Sequence, residues 1–293
     1  LMWYPSWGEV KIGKQIHAWG AVDGNNPTDN LNPYDYYYMF LPGAERKVGT
    51  VSGSVKYYWN DWQGELLFIP EHEHNRMPFG ETAFPIILPG SPPPLLKVET
   101  GLEFGARIQY TNDLGDFSFS YFNGRDRSFD YVGLTEDSTA FSYRKTDVIG
   151  FDFVSFIGDL TNRFEVAYFR TENDFAIDYL HFNDASYIQY AEQIEFTTSN
   201  DIMFSAQIIG SIDGDINWEQ PPYVRNNLST EPEFQPGMGT PYASFTDLGL
   251  SFSLSANYFD DALDLMGNTF IDLKDSQSML GVTAKYSPMD NWK

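Results

Sequence analysis

The chain has 293 residues, with 18 Lys and Arg against 41 Asp and Glu, so its formal net charge is −23. This excess of acids argues against a nucleic-acid partner, because phosphates need a basic surface. Cysteine is absent, which excludes disulfides, thiolate metal sites and a cysteine nucleophile. No apolar run is long enough for a transmembrane helix. Aromatic residues make up 17% of the chain, a content that favours β structure.

The first ten residues, LMWYPSWGEV, contain neither an initiator methionine nor the basic start and apolar stretch of a signal peptide. No low-complexity linker or blade-length repeat divides the sequence. We therefore expect residues 1–293 to be a single domain that is truncated at both ends.

Alternation of apolar and polar residues with a period of two recurs along the chain and predicts about twelve β-strands. The clearest example is DLGLSFSLSANYF, which begins at Asp247 and alternates large apolar residues with small polar ones. The predicted strands are residues 9–19, 50–59, 65–69, 102–111, 117–122, 148–157, 163–169, 187–197, 202–209, 247–258, 262–273 and 278–286. A single helical turn is predicted, over residues 33–41.

The connections between these strands alternate between short turns and long loops. Short turns are predicted at residues 60–64, 112–116, 158–162, 198–200 and 259–261, and long loops at 20–49, 70–101, 123–147, 172–186 and 210–246. Only the short connection at 274–276 departs from the alternation. In an up-and-down meander every second connection lies at the same end, so turns gather on one rim and loops on the other, as in transmembrane β-barrels.

Aromatic residues cluster near the predicted strand ends, as in the interfacial girdles of membrane proteins. Examples are Tyr57, Trp59, Trp62 and Tyr258. Together with the sorted loops, they predict an all-β fold, an antiparallel up-and-down transmembrane β-barrel whose apolar face meets lipid.

The polar face of these strands would then line a water-filled lumen and set its charge preference. The predicted pore-lining residues are Lys11, Gln15, His17, Glu103, Arg107, Gln109, Asp152, Glu165, Asp247, Ser251 and Ser253.

The first long loop, residues 20–49, is predicted to fold inward as a constriction, because about 30 residues without regular structure usually serve a function. Its aromatic side chains need a surface to pack on, and its polar groups could contact a passing solute. The candidate constriction residues are Asp29, Asn32, Tyr34, Asp35 and Tyr37. The alternative is an external flap packed on its own aromatic residues.

Two segments contain possible metal ligands. The stretch EHEH holds His72 and His74, but no third histidine is near and no helix supports a zinc site, so a solvated loop is expected. Asp23, Asn25 and Asp29 form a weak calcium candidate that Asx-rich turns explain equally well. No cofactor is predicted. The sequence has no Gly-x-Ser-x-Gly elbow, no Ser–His–acid set and no phosphate-binding glycine loop, so we do not expect an enzyme.

The segment IGKQIHAWGAVDGNNPTDNLNPYD, residues 12–35, resembles a family of large Gram-negative outer-membrane β-barrels of unknown function. The shared positions are Gly13, Gln15, Trp19, Gly20, Asp29, Leu31, Asn32, Pro33 and Asp35. LLFIPEHEHNRMP, RFEVAYF and SPMDNW, which begin at Leu66, Arg163 and Ser287, are similar to further family segments. The chain departs from the family at its termini, since it ends at Lys293 without a terminal aromatic strand.

The resemblance implies a bacterial outer-membrane protein, in contact with membrane lipid and lipopolysaccharide and inserted by the barrel-assembly machinery. The predicted function is a porin-like channel for passive or facilitated uptake of small solutes through a polar lumen. One alternative is a secreted soluble β-sandwich that binds or processes carbohydrate through its Tyr and Trp residues. A second alternative is an outer-membrane enzyme.

Overall fold

The computed structural model describes residues 1–37, 46–77, 101–134, 139–174, 181–219, 234–244, 246–259 and 262–287. Within these ranges the strands are β1 (Met2–Trp3), β2 (Gly8–Gln15), β3 (Thr50–Trp59), β4 (Trp62–Ile69), β5 (Glu103–Asn112), β6 (Gly115–Arg125), β7 (Asp130–Leu134), β8 (Thr139–Ser142), β9 (Lys145–Ile157), β10 (Leu160–Glu172), β11 (His181–Thr197), β12 (Ile202–Glu219), β13 (Leu248–Tyr258), β14 (Leu263–Asp272) and β15 (Ser278–Tyr286). A 3₁₀ helix covers Pro241–Ser244. In this part of the chain no helix is long and apolar enough to span a membrane.

Thirteen of these strands form one antiparallel sheet in the order β1-β2-β3-β4-β5-β6-β9-β10-β11-β12-β13-β14-β15. The remaining pair, β7 and β8, forms a separate hairpin between β6 and β9. The predicted all-β antiparallel meander is therefore confirmed. Among the described residues no ladder joins β1 to β15, so the sheet is an open wall with two edges.

Several predicted boundaries are wrong. The first long strand, β2, ends at Gln15 and not at residue 19. The predicted loops 172–186 and 210–246 are shorter, because β11 begins at His181 and β12 continues to Glu219. Register shifts between Phe182 and Tyr187 interrupt the alternation there, which hid these strand ends from pattern analysis.

Two predicted irregular segments also differ from the structure. The predicted loop 123–147 contains the β7–β8 hairpin. The predicted helical turn is absent from residues 33–37, where Tyr34 and Asp35 instead form single bridges with Lys47 and Arg76. Residues 38–41 of that prediction lie outside the described residues.

The two ends of the sheet have different connections. Tight turns join β3–β4, β5–β6, β9–β10, β11–β12 and β13–β14 at one end, which we call the turn rim. Three of these turns contain a non-glycine residue with positive φ, namely Asn60 (49°), Asp201 (59°) and Phe259 (58°). The longer connections lie at the opposite end, the loop rim, together with the short β14–β15 connection. The predicted sorting of turns and loops is thus present.

The two faces of the sheet also differ. On the outer face, large apolar side chains are exposed, including Val51 (54%), Leu66 (48%), Phe119 (59%) and Ile149 (59%). On the inner face, the intervening side chains are mostly buried or polar. In β13, Leu250 lies opposite Ile208 and Ile271 on the outer face. Its neighbour Ser251 lies opposite Gln207, which is buried on the inner face.

This division of faces makes a prediction for β13. If the outer face meets lipid, Leu250→Arg should destabilise the folded protein by about 2–4 kcal/mol near the bilayer midplane. Ser253→Arg should fold normally, because this position faces inward. Urea titration of the protein refolded into lipid vesicles measures both effects, and equal tolerance at the two positions would contradict the assignment of faces.

Candidate functional site

The inner face is crossed by residues 16–37, which we call the inner loop. It leaves β2 after Gln15 and contacts strands from β3 to β12. Its contacts, in chain order, are His17 with Ser52 of β3, Trp19 with Glu65 of β4, Ala21 with Glu165 of β10, Asp23 with Gln193 of β11 and Asn25 with Gln207 of β12. The loop therefore lies against the inner face and is not an external flap.

The base of the inner loop is closed by the side-chain amide of Asn32. Its Oδ1 accepts a hydrogen bond from the backbone N–H of His17 at 2.6 Å. Its Nδ2 donates to the backbone oxygens of Gln15 at 3.1 Å and Val48 at 3.0 Å. The Asn32 side chain thus links Gln15 and His17 at the beginning of the loop to Val48, which precedes β3. A short side chain with both a donor and an acceptor suits this buried position.

An apolar cluster forms where the inner loop covers the half of the wall nearer the loop rim. Trp19 and Leu31 of the loop pack with inward-facing Leu67, Phe122 and other strand residues. The cluster consists of Trp19, Leu31, Leu67, Ile69, Phe122, Val148, Ala167, Phe169, Ala185, Tyr187, Phe234 and Met238. The pattern of β13 indicates a polar inner face. The apolar cluster shows that the inner face is not polar throughout.

Close packing at Trp19 requires glycine in the wall. A side chain at Gly105 would place its Cβ 2.8 Å from the Trp19 ring, which is closer than van der Waals contact allows. The indole N–H of Trp19 donates to Glu65 Oε2 at 3.0 Å, so its polar edge is satisfied within the same contact.

The Glu165 carboxylate of β10 is the main attachment point of the inner loop. Its Oε1 accepts hydrogen bonds from the backbone N–H groups of Ala21 at 2.5 Å and Val22 at 2.6 Å, and from Asn26 Nδ2 at 3.0 Å. Its Oε2 accepts from the Thr28 backbone N–H at 3.2 Å and hydroxyl at 2.7 Å. Glu165 is completely buried, so these five donors replace water around the carboxylate.

Glycine is also needed where the loop reaches Glu165. Gly20 has φ of +87°, a conformation that side chains disfavour. A Cβ at this position would lie 2.5 Å from Glu165 Oε1.

The far end of the loop is held by charged and amide groups nearer the turn rim. Arg163 Nη1 of β10 lies 2.8 Å from Asp23 Oδ2 and 2.9 Å from Glu195 Oε1. Gln193 Nε2 donates to the same Asp23 oxygen at 2.9 Å. Gln207 Nε2 donates to the Asp23 backbone oxygen at 3.1 Å. Side chains from β10, β11 and β12 therefore all bind Asp23.

A buried cation, Arg127, holds the return of the loop. It follows β6 and donates to the backbone oxygens of Asn30 and Leu31, both at 3.2 Å. It also pairs with Glu103 Oε2 of β5 at 2.8 Å. His72 Nδ1 lies 3.0 Å from the other oxygen of Glu103, and burial lowers the pKa of this histidine.

Asp29 of the inner loop forms a buried pair with Lys47, which precedes β3. Lys47 Nζ lies 3.5 Å from Asp29 Oδ2 and donates to the Asp29 backbone oxygen at 2.8 Å. Burial raises the pKa of Asp29 and lowers the pKa of Lys47, because it penalises the charged form of each group. The pair stabilises the docked loop only while Asp29 and Lys47 remain in contact.

Nearer the turn rim, charges of alternating sign cross the inner face. Glu9, Lys56, Glu65 and Arg107 lie opposite one another on four successive strands. Lys56 Nζ lies 4.0 Å from Glu9 and 3.8 Å from Glu65. Arg107 pairs with Asp152 at 2.9 Å. This mixed-sign row gives the inner face a polar band beside the apolar cluster.

The structure places the predicted pore-lining residues in three settings. Lys11, Gln15, Arg107, Gln109, Ser251 and Ser253 lie on the inner face and are partly buried or exposed. Glu103, Asp152 and Glu165 are buried beneath or beside the loops. His17 is not in a strand, since β2 ends before it, and Asp247 precedes β13 and pairs with Lys274 at 2.6 Å.

The candidate constriction residues belong to the inner loop but do not form one surface. Asp29, Asn32, Tyr34 and Asp35 are buried, and they bind the loop to itself and to its neighbours. Asp35 pairs with Arg76 at 3.1 Å, and Tyr37 lies under the Arg76 guanidinium at 4.3 Å. Their observed contacts are with other protein groups, and a role toward solute remains a prediction.

Neither metal candidate is assembled. His72 contacts Glu103 and Arg127, whereas His74 Nδ1 contacts the Asn75 backbone oxygen at 2.9 Å. Asp23 and Asp29 contact Arg163 and Lys47, and Asn25 donates to Gln207. In the described ranges no three His, Asp or Glu residues are grouped as metal ligands.

Sequence analysis missed Arg127, Arg163, Gln193 and Gln207. Gln193 and Gln207 occupy inward positions of predicted strands, so the alternation alone could have identified them. Arg127 lay in a predicted loop, and no local pattern indicated that it was buried.

No protein-family model matches the sequence, and no curated protein sequence matches it. Among solved structures, the chain is similar to a porin refined at 1.8 Å resolution, with a TM-score of 0.53 and 9% identity over 96% of this chain and 78% of that one. It also matches Salmonella typhi OmpF in complex with daunomycin, with a TM-score of 0.45 and 9% identity over 91% of this chain and 67% of that one. A third match is Pseudomonas aeruginosa OccK8 (OprE), with a TM-score of 0.42 and 10% identity over 96% and 77% of the two chains.

The first of these likenesses establishes the fold class. The wall of antiparallel strands has the fold of a porin.

The contacts of Glu165 predict that Glu165→Gln will loosen the inner loop. The substituted amide nitrogen would point at donors, so docking should weaken by about 1–3 kcal/mol. Hydrogen exchange at the amides of Ala21 and Val22 measures this change. Asp264→Asn, which removes an inward carboxylate of β14 away from the loop, is the control and should leave their exchange unchanged.

His17 predicts a pH dependence of loop docking. Burial, with Lys56 and Lys11 acting in the same direction, lowers its pKa to about 4. Between pH 6.5 and 4 the undocked loop binds a proton at His17 that the docked loop does not, so the contribution of His17 to docking weakens as pH falls, by at most about 1.4 kcal/mol per unit. Hydrogen exchange of the loop at pH 7 and pH 5, corrected for intrinsic rates, would show this. His17→Gln should remove this contribution, which is measured as the difference in pH dependence between the variant and the unsubstituted protein.

Proposed function

We propose that the chain forms the wall of a channel in the bacterial outer membrane, through which small solutes pass along the inner face. Residues 1–293 act in it as one domain. Its outer face contacts membrane lipid and lipopolysaccharide, and insertion uses the barrel-assembly machinery. In this proposal the protein transports and does not catalyse.

The observation that carries this proposal is the inner loop fixed across the inner face of a porin-fold wall. A loop that is held by Glu165 and Gln207 and closed at its base by Asn32 stays on the inner face and narrows the space beside the strands. The exposed apolar outer face supports a lipid environment, because a soluble protein rarely leaves so much apolar surface in water. The mixed-sign row from Glu9 to Arg107 offers polar contacts to a hydrated solute.

Extraction and conductance together test the proposal. The intact protein should need detergent for extraction from membranes and should give discrete current steps in a planar lipid bilayer. A protein that stays monomeric without detergent would instead support the soluble carbohydrate-binding alternative. An inserted protein that gives no current would refute the channel.

The inner loop should set the size of the conducting path. Replacing residues 21–30 by a short Gly-Ser linker removes the attachments to Glu165 and Arg163, so single-channel conductance should rise. The matched control shortens the connection at residues 273–277, which lies at the same rim outside the inner loop. An unchanged conductance in the first variant would show that the loop does not limit ion flow.

A further inference from the structure

A small polar cavity lies where the inner loop meets the end of the connection between β12 and β13. We call this end, residues 234–240, the distal segment. The cavity has a volume of about 20 Å³, and about 10–15 Å³ of such space is enough for one water molecule. Its lining comes from the inner loop, the distal segment, Asn75, Arg127 and Ser128. The cavity therefore has room for one ligand of the size of a water molecule.

Four residues that line this cavity are more than nine-tenths buried. They are Asp29, Asn30 and Tyr34 of the inner loop and Thr240 of the distal segment, which are 7%, 3%, 6% and 4% exposed. Each has one side-chain oxygen with no hydrogen-bond partner in the described part of the chain, namely Asp29 Oδ1, Asn30 Oδ1, the Tyr34 hydroxyl and Thr240 Oγ1. Unpaired buried polar atoms are unfavourable, so four of them around one cavity indicate a bound ligand.

The four oxygens fall into two chemical pairs. The carboxylate oxygen of Asp29 and the amide oxygen of Asn30 only accept hydrogen bonds, whereas the hydroxyl groups of Tyr34 and Thr240 can each donate one. The orientation of the Asn30 amide is fixed, because its Nδ2 donates to the Pro27 backbone oxygen at 2.7 Å. A water molecule donates two hydrogen bonds and accepts two, so it matches this set.

A metal cation fits the cavity less well than water, because positive charge is already present there. Lys47 Nζ lies 3.5 Å from Asp29 Oδ2 and 4.0 Å from the centre of the Tyr34 ring, and Arg127 lines the cavity. The backbone N–H of Trp19 also faces the Asp29 carboxylate. Asp29 is the one acid among the described lining residues, and its charge is balanced by these groups. A neutral ligand is therefore favoured.

The distal segment is itself bound to the wall. The Thr240 backbone N–H donates to Gln189 Oε1 of β11 at 2.8 Å, and the Tyr187 hydroxyl donates to the Met238 backbone oxygen at 3.3 Å. Gly239, between these two contacts, has φ of +103°, a conformation that side chains disfavour. Thr240 is thus held in a fixed position beside the inner loop.

We propose that this cavity holds one water molecule, which donates to the carboxylate and amide oxygens and accepts from the two hydroxyl groups. The water joins the inner loop to the distal segment at a second point besides Arg127. The Arg127 side chain binds the Leu31 backbone oxygen, and its backbone N–H binds the Gly237 backbone oxygen. The two segments then move as one unit at the loop rim. This inference does not depend on conduction.

A high-resolution crystal structure of the detergent-solubilised intact protein tests the ligand. One density peak should lie in the cavity with the four oxygens at about 2.6–3.1 Å, the distances of hydrogen bonds to water. A calcium ion would instead lie about 2.3–2.6 Å from them. A monovalent cation site would give an anomalous peak after rubidium soaking. A cation of either kind, or a cavity without density, would overturn the proposal.

Amide hydrogen exchange tests whether the water joins the two segments. Thr240→Val removes one partner of the water with little change in shape, so exchange at the Thr28 and Asp29 amides of the inner loop should become about three- to tenfold faster. Thr246→Val is the matched control. It makes the same change at a buried threonine whose hydroxyl donates to Asp272 Oδ1 at 2.7 Å, and it should leave both amides unchanged.

A double variant distinguishes one shared water from separate local effects. If Tyr34→Phe and Thr240→Val weaken the same water, their combined effect on exchange should be smaller than the product of the two single fold-changes. Fold-changes that multiply would refute the shared water. Unchanged exchange in Thr240→Val, or equal acceleration in Thr246→Val, would show that the water does not join the two segments.

Discussion

The buried carboxylate of Glu165 is the constraint on which the arrangement of the inner face depends. Burial of a carboxylate is strongly unfavourable unless hydrogen-bond donors surround it, and here the inner loop supplies those donors. The inner loop in turn needs hydrogen-bond acceptors, because the N–H groups of Ala21 and Val22 form no hydrogen bond in a strand ladder. Asp152 lies directly opposite Glu165 on β9 and pairs instead with Arg107. Two adjacent acids are thereby satisfied by different partners, one by the loop and one by the wall.

The wall of the protein could be predicted from the sequence because its determinants are local. Alternation with a period of two identifies a strand and both of its faces at once, as in β13, where Leu250 and Ser251 lie on opposite faces as the pattern indicates. The sorting of short turns from long loops follows from the meander itself. Arg107 and Asp152, two polar residues predicted for the inner face, do lie on it and pair with each other.

The inner loop could not be predicted in the same way, because its contacts join distant parts of the chain. The alternation continues through His17 and Trp19, so both appeared to belong to a strand. In the structure the N–H of His17 bonds to the side chain of Asn32, and the chain leaves the sheet. Alternation also cannot distinguish an inward residue that meets water from one that is covered, which is why Glu165 was predicted to line a pore. The family-like segment from Gly13 to Asp35 contains the residues that fold the loop, although its pattern did not reveal their partners.

The inner loop also constrains the order in which the protein folds. It lies early in the chain, yet many of its attachments lie far downstream, with sequence separations of 144 for Ala21 and Glu165 and 184 for Asp23 and Gln207. Contacts of such separation form slowly, since the intervening chain must first be ordered. The ladder between β2 and β3 can form while β10 and β12 are still absent, but the loop segment from Ala21 to Thr28 then lacks the Glu165 carboxylate. The attachments to β10 and β12 can therefore form only after those strands are in place, whereas the contacts of His17 and Trp19 with β3 and β4 need only nearby chain.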